Sequence, residues 1–137
     1  MALKADGKVY LSWDDIETLV NQLCEWIDHS ELPITSITGI ERGGLIPAVM
    51  ISHRLNLPYV YSIHPNTLVI DDICDTGETL SLILGGVHTA VLHYKSTAKH
   101  KPTFYGQEVG DEWIVYPWER KDSEPVQDYL KKITKTK

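Results

Sequence analysis

The chain has little cysteine, no excess of positive charge and no long apolar run, and each absence excludes something. Cys24 and Cys74 are the only cysteines in 137 residues. They are too few for a disulfide framework, so a reducing, cytoplasmic location is expected. Lys and Arg number 13 against 19 Asp and Glu, a net charge of −6. A phosphate backbone or an anionic membrane demands a basic surface, so neither nucleic acid nor membrane is expected as a partner. A small phosphorylated substrate stays open, because it needs only a local anion site. No stretch approaches the ~18 apolar residues that span a bilayer. The opening residues, MALKADGKVY, lack the apolar core of a secretory signal. The G-x-x-x-x-G-K-[ST] pattern of P-loop nucleotide hydrolases is missing as well. No internal repeat, low-complexity tract or linker divides the chain, so residues 1–137 are read as one domain. A chain of this size buries roughly two-thirds of its unfolded surface and needs no staples.

What is present alternates. Ser12, with Asp15 three residues on, opens a helix whose apolar face is Ile16, Leu19, Val20, Leu23, Trp26 and Ile27. Residues 34–40 read as a β-branched strand, and 45–55 as a helix with Leu45, Val49 and Ser52 or His53 along one side. Residues 59–63 are a second strand, 67–73 a third that is apolar until its aspartates, and 87–94 a fourth. A short helix is expected at 79–84, an irregular polar stretch at 95–110, a fifth strand at 112–116 and a terminal helix at 126–133. Strands alternating with helices predict an α/β fold, a mostly parallel sheet flanked by helices. Ligands in such sheets bind beyond the carboxyl ends of the strands. Residues 41–44 and 71–79 lie at such ends.

The sequence VIDDICDTGET, residues 69–79, carries the strongest chemistry. A buried strand delivers Asp71 and Asp72, then Asp75, then Thr76, Gly77, Glu78 and Thr79 before a helix. A glycine turn at a helix N-terminus offers backbone N–H groups and the positive end of the dipole to a phosphate. Carboxylates beside a phosphate suit a divalent metal or sugar hydroxyls. The local reading is therefore a sugar phosphate with magnesium. A lone Asp-Thr-Gly would only turn the chain; strand, acids, glycine and threonines in this order ask for more.

This segment resembles the phosphoribosyl pyrophosphate signature of the type I phosphoribosyltransferases. The resemblance implies that Asp71 and Asp72 hold the ribose hydroxyls, directly or through Mg2+. It implies that Asp75, Thr76, Gly77, Glu78 and Thr79 wrap the 5′-phosphate, and that Asp75, the catalytic residue, faces the purine N7 proton. The second constellation is GIERGGLIP, residues 39–47. There Arg42 supplies a fixed charge, and Gly43 and Gly44 let backbone approach a ligand closely. It is similar to the family's pyrophosphate loop, which often holds a cis peptide, although Glu41 stands where a small or neutral residue is expected. The third is Lys95 with WIVYPWE, residues 113–119, which resembles the 6-oxopurine branch, in particular the xanthine–guanine and archaeal-like hypoxanthine–guanine enzymes. In that branch the lysine bonds O6, the aromatic matching Trp113 stacks on the base, and backbone near Ile114 reads its C2 side. A lysine only donates, so it favours O6 over the amino group of adenine. Trp118 reads as a core aromatic. The six histidines, at 29, 53, 64, 88, 93 and 100, show no ligand spacing, and Cys74 has no base to activate it.

The resemblance runs from about Val9 to Glu119 and departs at one place. The family carries a long mobile hood between the strands matching 59–63 and 67–71; here only His64, Pro65 and Asn66 intervene. Parallel strands need a crossover of about a dozen residues. The six residues 62–67 reach roughly 20 Å at about 3.3–3.6 Å each. We therefore expect a truncated second strand, a missing hood and a site open on that side unless residues 99–107 or a partner subunit cover it. The implied activity is transfer of a phosphoribosyl group from phosphoribosyl pyrophosphate to guanine, xanthine or hypoxanthine, by a homo-oligomer, dimer or tetramer. The alternatives are a phosphoribosyl pyrophosphate- or nucleotide-binding regulator without turnover, and an enzyme for adenine, orotate or uracil.

Overall fold

A computed structural model of the chain describes residues 3–5, 7–77 and 87–119. The helices expected at 79–84 and 126–133, with Glu78 and Thr79, lie outside the described residues. The described residues form two compact units: those up to 15 with those from 112 on, and Ile16–Asp111.

The smaller unit holds a three-stranded sheet of β1 (Leu3–Ala5), β2 (Lys8–Tyr10) and β7 (Trp113–Val115), with β2 in the middle. β1 and β2 are antiparallel, and β2 and β7 parallel. Gly7 turns the chain between β1 and β2 at φ 74°, a conformation that side chains disfavour. Tyr116 stacks on Trp118 at 4.9 Å, and Trp13 meets Trp118 at 5.8 Å. Trp118 is thus a packing residue, as its sequence context predicts.

The larger unit is built on a parallel sheet in the order β3 (Ser36–Gly39), β4 (Thr67–Cys74), β5 (Thr89–Lys95), β6 (Phe104–Val109). β4 is buried from Thr67 to Asp71 and β5 from Thr89 to Tyr94, as strands covered on both faces must be. α1 (Trp13–Ser30) starts where Ser12 and Asp15 exchange side-chain to backbone hydrogen bonds of 2.8 and 3.1 Å. It buries Ile16, Leu19, Val20, Leu23, Cys24 and Ile27, each large aliphatic contributing about 1.5–3 kcal/mol. Trp26 is 42% exposed, yet meets Phe104 and Tyr105 edge-on at 5.3 Å. Gly106 leaves the space Leu19 needs: a Cβ there would stand 3.0 Å from Leu19 Cδ2. α2 (Leu45–Leu55) packs on β3 and β4.

Three expectations are corrected, and the truncation of the second strand is borne out. α2 has its expected bounds but turns a different face inward: Pro47, Ala48 and Ile51 are buried, while Val49 is 47% exposed. The helix is apolar almost all round, so spacing did not single out a face. The second strand, expected at 59–63, shrinks to a single parallel bridge of Tyr59 with Ile37. The chain is too short to extend further and still return to Thr67, so the truncation is as expected. The irregular stretch at 95–110 contains β6, an edge strand hidden by its exposed Gln107 and Glu108. The fifth strand forms as β7, but in the smaller unit's sheet beside β2; β1 and β2 went unread because three-residue strands carry almost no periodicity.

Candidate active site

β3, β4 and β5 run side by side and parallel, so their carboxyl ends open in one direction. The Arg42 turn, the acid-bearing end of β4 and, from the third constellation, Lys95 meet there. β3 ends at Gly39, and the chain turns through residues 40–44 into α2, with a cis peptide between Glu41 and Arg42. The Gly44 N–H donates to the Ile40 carbonyl at 2.9 Å, and the Leu45 N–H to that of Arg42 at 3.1 Å. β4 carries the acids beside this turn. A Cβ on Gly43 would collide with the Asp72 carboxylate, and one on Gly44 with the Ile70 carbonyl oxygen. Both glycines therefore serve a contact within the protein: they let the Arg42 turn lie directly against the acid pair.

Asp71 is 8% exposed, and its Oδ1 accepts the Asp72 N–H at 2.8 Å. Asp72 Oδ1 accepts the Ile73 N–H at 2.8 Å. These bonds aim the two carboxylates while β4 is still a strand; it continues to Cys74, further than the sequence suggests. At the end of β4, Asp75 Oδ1 lies 3.3 Å from Lys95 Nζ at the end of β5, with side chains 31% and 16% exposed. The proposed acid–base group and the proposed O6 reader are thus an ion pair.

Thr76 and Gly77 follow. Gly77 has φ 87° and is buried under the chain leaving β5: a Cβ there would stand 2.6 Å from the His100 nitrogen. The Lys99 N–H donates to the Thr76 carbonyl at 2.9 Å, and the Cys74 Sγ–H to that of His100 at 3.2 Å. Residues 96–101 are therefore a strap across the glycine turn. Sequence reasoning missed this role, and only the need for a positive-φ glycine at 77 hints at it. Burial, then the charges of Asp71 and Asp75, push the Cys74 thiol up to about 11. It stays protonated at neutral pH and is no nucleophile.

The remaining base-side candidates lie in the smaller unit. Ile114 is buried, and the Trp113 ring carries the Lys8 ammonium 4.5 Å from its centroid. This partner was unforeseen, since cation–π pairs have no spacing signature. Among the described residues no group of three His, Cys, Asp or Glu side chains could hold a metal. Asp71 and Asp72 nevertheless fit magnesium, which takes one or two carboxylates and draws its other ligands from water and substrate phosphates. No helix among the described residues is long and apolar enough to cross a membrane.

No protein-family model matches the chain. It is 28% identical over 135 residues to the xanthine-guanine phosphoribosyltransferase of Chromohalobacter salexigens, covering 80% of this chain and 82% of that one. The purine phosphoribosyltransferase of Pyrococcus horikoshii matches with a TM-score of 0.73 at 27% identity, over 88% of this chain and 99% of that one. A hypothetical protein of Neisseria gonorrhoeae, solved with bound ppGpp, matches at 0.72 and 26%, over 88% of this chain and 93% of that one. The fold is that of the type I phosphoribosyltransferases. Within that class the chain is a relative of the purine enzymes, xanthine-guanine phosphoribosyltransferases among them.

Proposed function

We propose that this chain is a purine phosphoribosyltransferase, moving a phosphoribosyl group from phosphoribosyl pyrophosphate to guanine, xanthine or hypoxanthine and releasing diphosphate, in purine salvage. The observation that carries the reading is the Asp75–Lys95 pair. On a 6-oxopurine, N7 and O6 are neighbouring positions on one edge of the ring system. A carboxylate and an ammonium 3.3 Å apart meet that edge with an acceptor for the N7 proton and a donor for O6. Asp71 and Asp72 take the ribose hydroxyls, and the turn of Asp75, Thr76 and Gly77, with Glu78 and Thr79, takes the 5′-phosphate. Arg42 and the backbone of Gly43 and Gly44 stabilise the leaving diphosphate as charge develops. Trp113 and Ile114 are kept for the base. Magnesium, held by Asp71 and Asp72 partly through the substrate, would neutralise diphosphate charge. A cytoplasmic dimer or tetramer completes the reading; the buried free thiols of Cys24 and Cys74 suit a reducing compartment.

The ppGpp-bound relative favours a second reading, a nucleotide-binding regulator with little turnover. Diphosphate release measured across a panel of bases with magnesium separates the two. Turnover with 6-oxopurines is the expected result. Turnover confined to adenine, orotate or uracil would change the base, and guanine-nucleotide binding without turnover on any base would leave the regulator.

A further inference from the structure

The truncated second strand takes the ladder partner away from the Gly39 N–H at the site, and a side chain supplies another. Beside β3, the Ile37 N–H donates to the Pro58 carbonyl at 2.9 Å and the Val60 N–H donates to the Ile37 carbonyl at 2.8 Å. This is the start of a regular parallel ladder around the Ile37–Tyr59 bridge. One step further, the Gly39 N–H would point at the Val60 carbonyl. The ladder ends first. Residues 61–66 are exposed and turn back, with Asn66 at φ 69° and the Thr67 N–H on the His64 carbonyl at 3.1 Å. The Gly39 N–H donates instead to the Tyr59 phenol oxygen at 3.2 Å.

Gly39 is the floor of the Arg42 turn. A Cβ on it would stand 2.7 Å from the Gly44 carbonyl oxygen and 2.9 Å from Ala48 Cβ, so the turn and the start of α2 close down on it. On its other side Gly39 pairs with Ile70 of β4, and the Ile40 N–H donates to the Ile70 carbonyl at 2.8 Å. The floor is thus held from both sides, by β4 and by one phenol. The Tyr59 ring is itself steadied by Tyr61, edge-on at 5.4 Å.

We propose that Tyr59 is a positioning residue for the Arg42 turn: its phenol replaces the missing strand carbonyl at Gly39 and thereby fixes the backbone that is to receive diphosphate. The inference rests on the diphosphate role of that turn given above. In this proposal Tyr59 acts through its bond to Gly39 and not on the reacting atoms. Preorganised donors act only while their backbone is held in place, so loosening the floor costs diphosphate affinity and spares ligands bound elsewhere.

The test is Tyr59→Phe, which keeps the ring and removes the acceptor. Calorimetry with inorganic diphosphate and magnesium is compared with calorimetry using a guanosine 5′-monophosphate probe, which carries no diphosphate. One net hydrogen bond corresponds to roughly a three- to tenfold loss, expected for diphosphate alone, with monophosphate affinity unchanged within about twofold. Exchange of the Gly39 amide proton, read by NMR, should quicken at least about tenfold while exchange at Ile37 is unchanged. Unaltered Gly39 exchange, unaltered diphosphate affinity, or equal loss for both probes would overturn the proposal. Failure of the unsubstituted protein to bind diphosphate at all would remove the functional reading and this inference together. Binding by that protein with no effect of Tyr59→Phe would remove only the inference.

Discussion

Lys95 and Asp75 hold each other in the free protein, so a variant at either position changes the environment of the other. Lys95→Ala removes the proposed O6 donor and the cation that pairs with Asp75. A hydrogen bond to a charged group contributes ~1.5–3 kcal/mol, so 6-oxopurine nucleotides should bind roughly tenfold or more weakly, and adenine nucleotides much less so. Competition binding with both nucleotides checks this, and equal losses would take O6 recognition away from Lys95. Asp75→Asn keeps shape but cannot accept a proton. Turnover should fall by ~10²–10⁴ while nucleotide affinity largely persists, and a fully active variant would remove Asp75 from the mechanism. Cys74 bears on stability instead. Its thiol ionises at about 11 in the folded chain against 9.0 as the ordinary value. Between those values the unfolded chain has lost a proton that the folded chain keeps. The stabilisation is complete below pH 9.0 and fades as pH rises through about 11. Denaturant titrations of the chain and of Cys74→Ala, from neutral pH to 11, should therefore converge at the alkaline end; curves that stay parallel would contradict the shift.

At the scale of elements, the glycine turn after β4 is held between its own strand and the strap of residues 96–101. Gly77→Ala would be strained twice, by φ 87° and by the His100 nitrogen 2.6 Å from the added Cβ. Gly77→Pro would remove an N–H as well. Both should abolish tight nucleotide binding in calorimetry, with proline the more severe, and unchanged affinity in either would show that the phosphate does not sit on this turn. The same elements show what the sequence could reveal. α1 and α2 were legible because caps and amphipathic or apolar runs are local properties. β4 was legible because an apolar run closed by two aspartates marks a buried strand nearing its carboxyl end. The acid pair, the Arg42 turn and Lys95 were legible as separate segments. That Gly43 makes room for Asp72, and that Lys95 meets Asp75, depends on strand register, which no local pattern encodes. β6 was missed for a related reason. An edge strand needs only part of one face apolar, and Gly106 is there to admit Leu19 from a helix some eighty positions earlier.

At the scale of the whole molecule, the connection from α2 to β4 governs how well the reaction is insulated. It leaves the β3 ladder at Val60 and is back at Thr67, paired with Ser36 at the amino end of the sheet. Such a span cannot place a long flap over the carboxyl ends of the strands, since extended chain advances at most about 3.3–3.6 Å per residue. An enzyme that forms a ribosyl cation has to exclude water until the purine attacks. With no flap from this connection, water is a competing nucleophile. Its oxygen bonds to C1′, the bond from C1′ to the diphosphate breaks with the electron pair leaving on diphosphate, and the water proton passes to solvent. The products are ribose 5-phosphate and diphosphate. Slow release of ribose 5-phosphate from phosphoribosyl pyrophosphate and magnesium is therefore expected without any base, suppressed as guanine or xanthine is added. Quantifying both sugar products by chromatography, with and without purine, decides the matter. The Asp75→Asn variant should lose transfer more than hydrolysis, because water needs no N7 proton removed. Fast transfer with no hydrolysis would mean that another part of the chain, or a second copy of it, closes the site that this connection leaves uncovered.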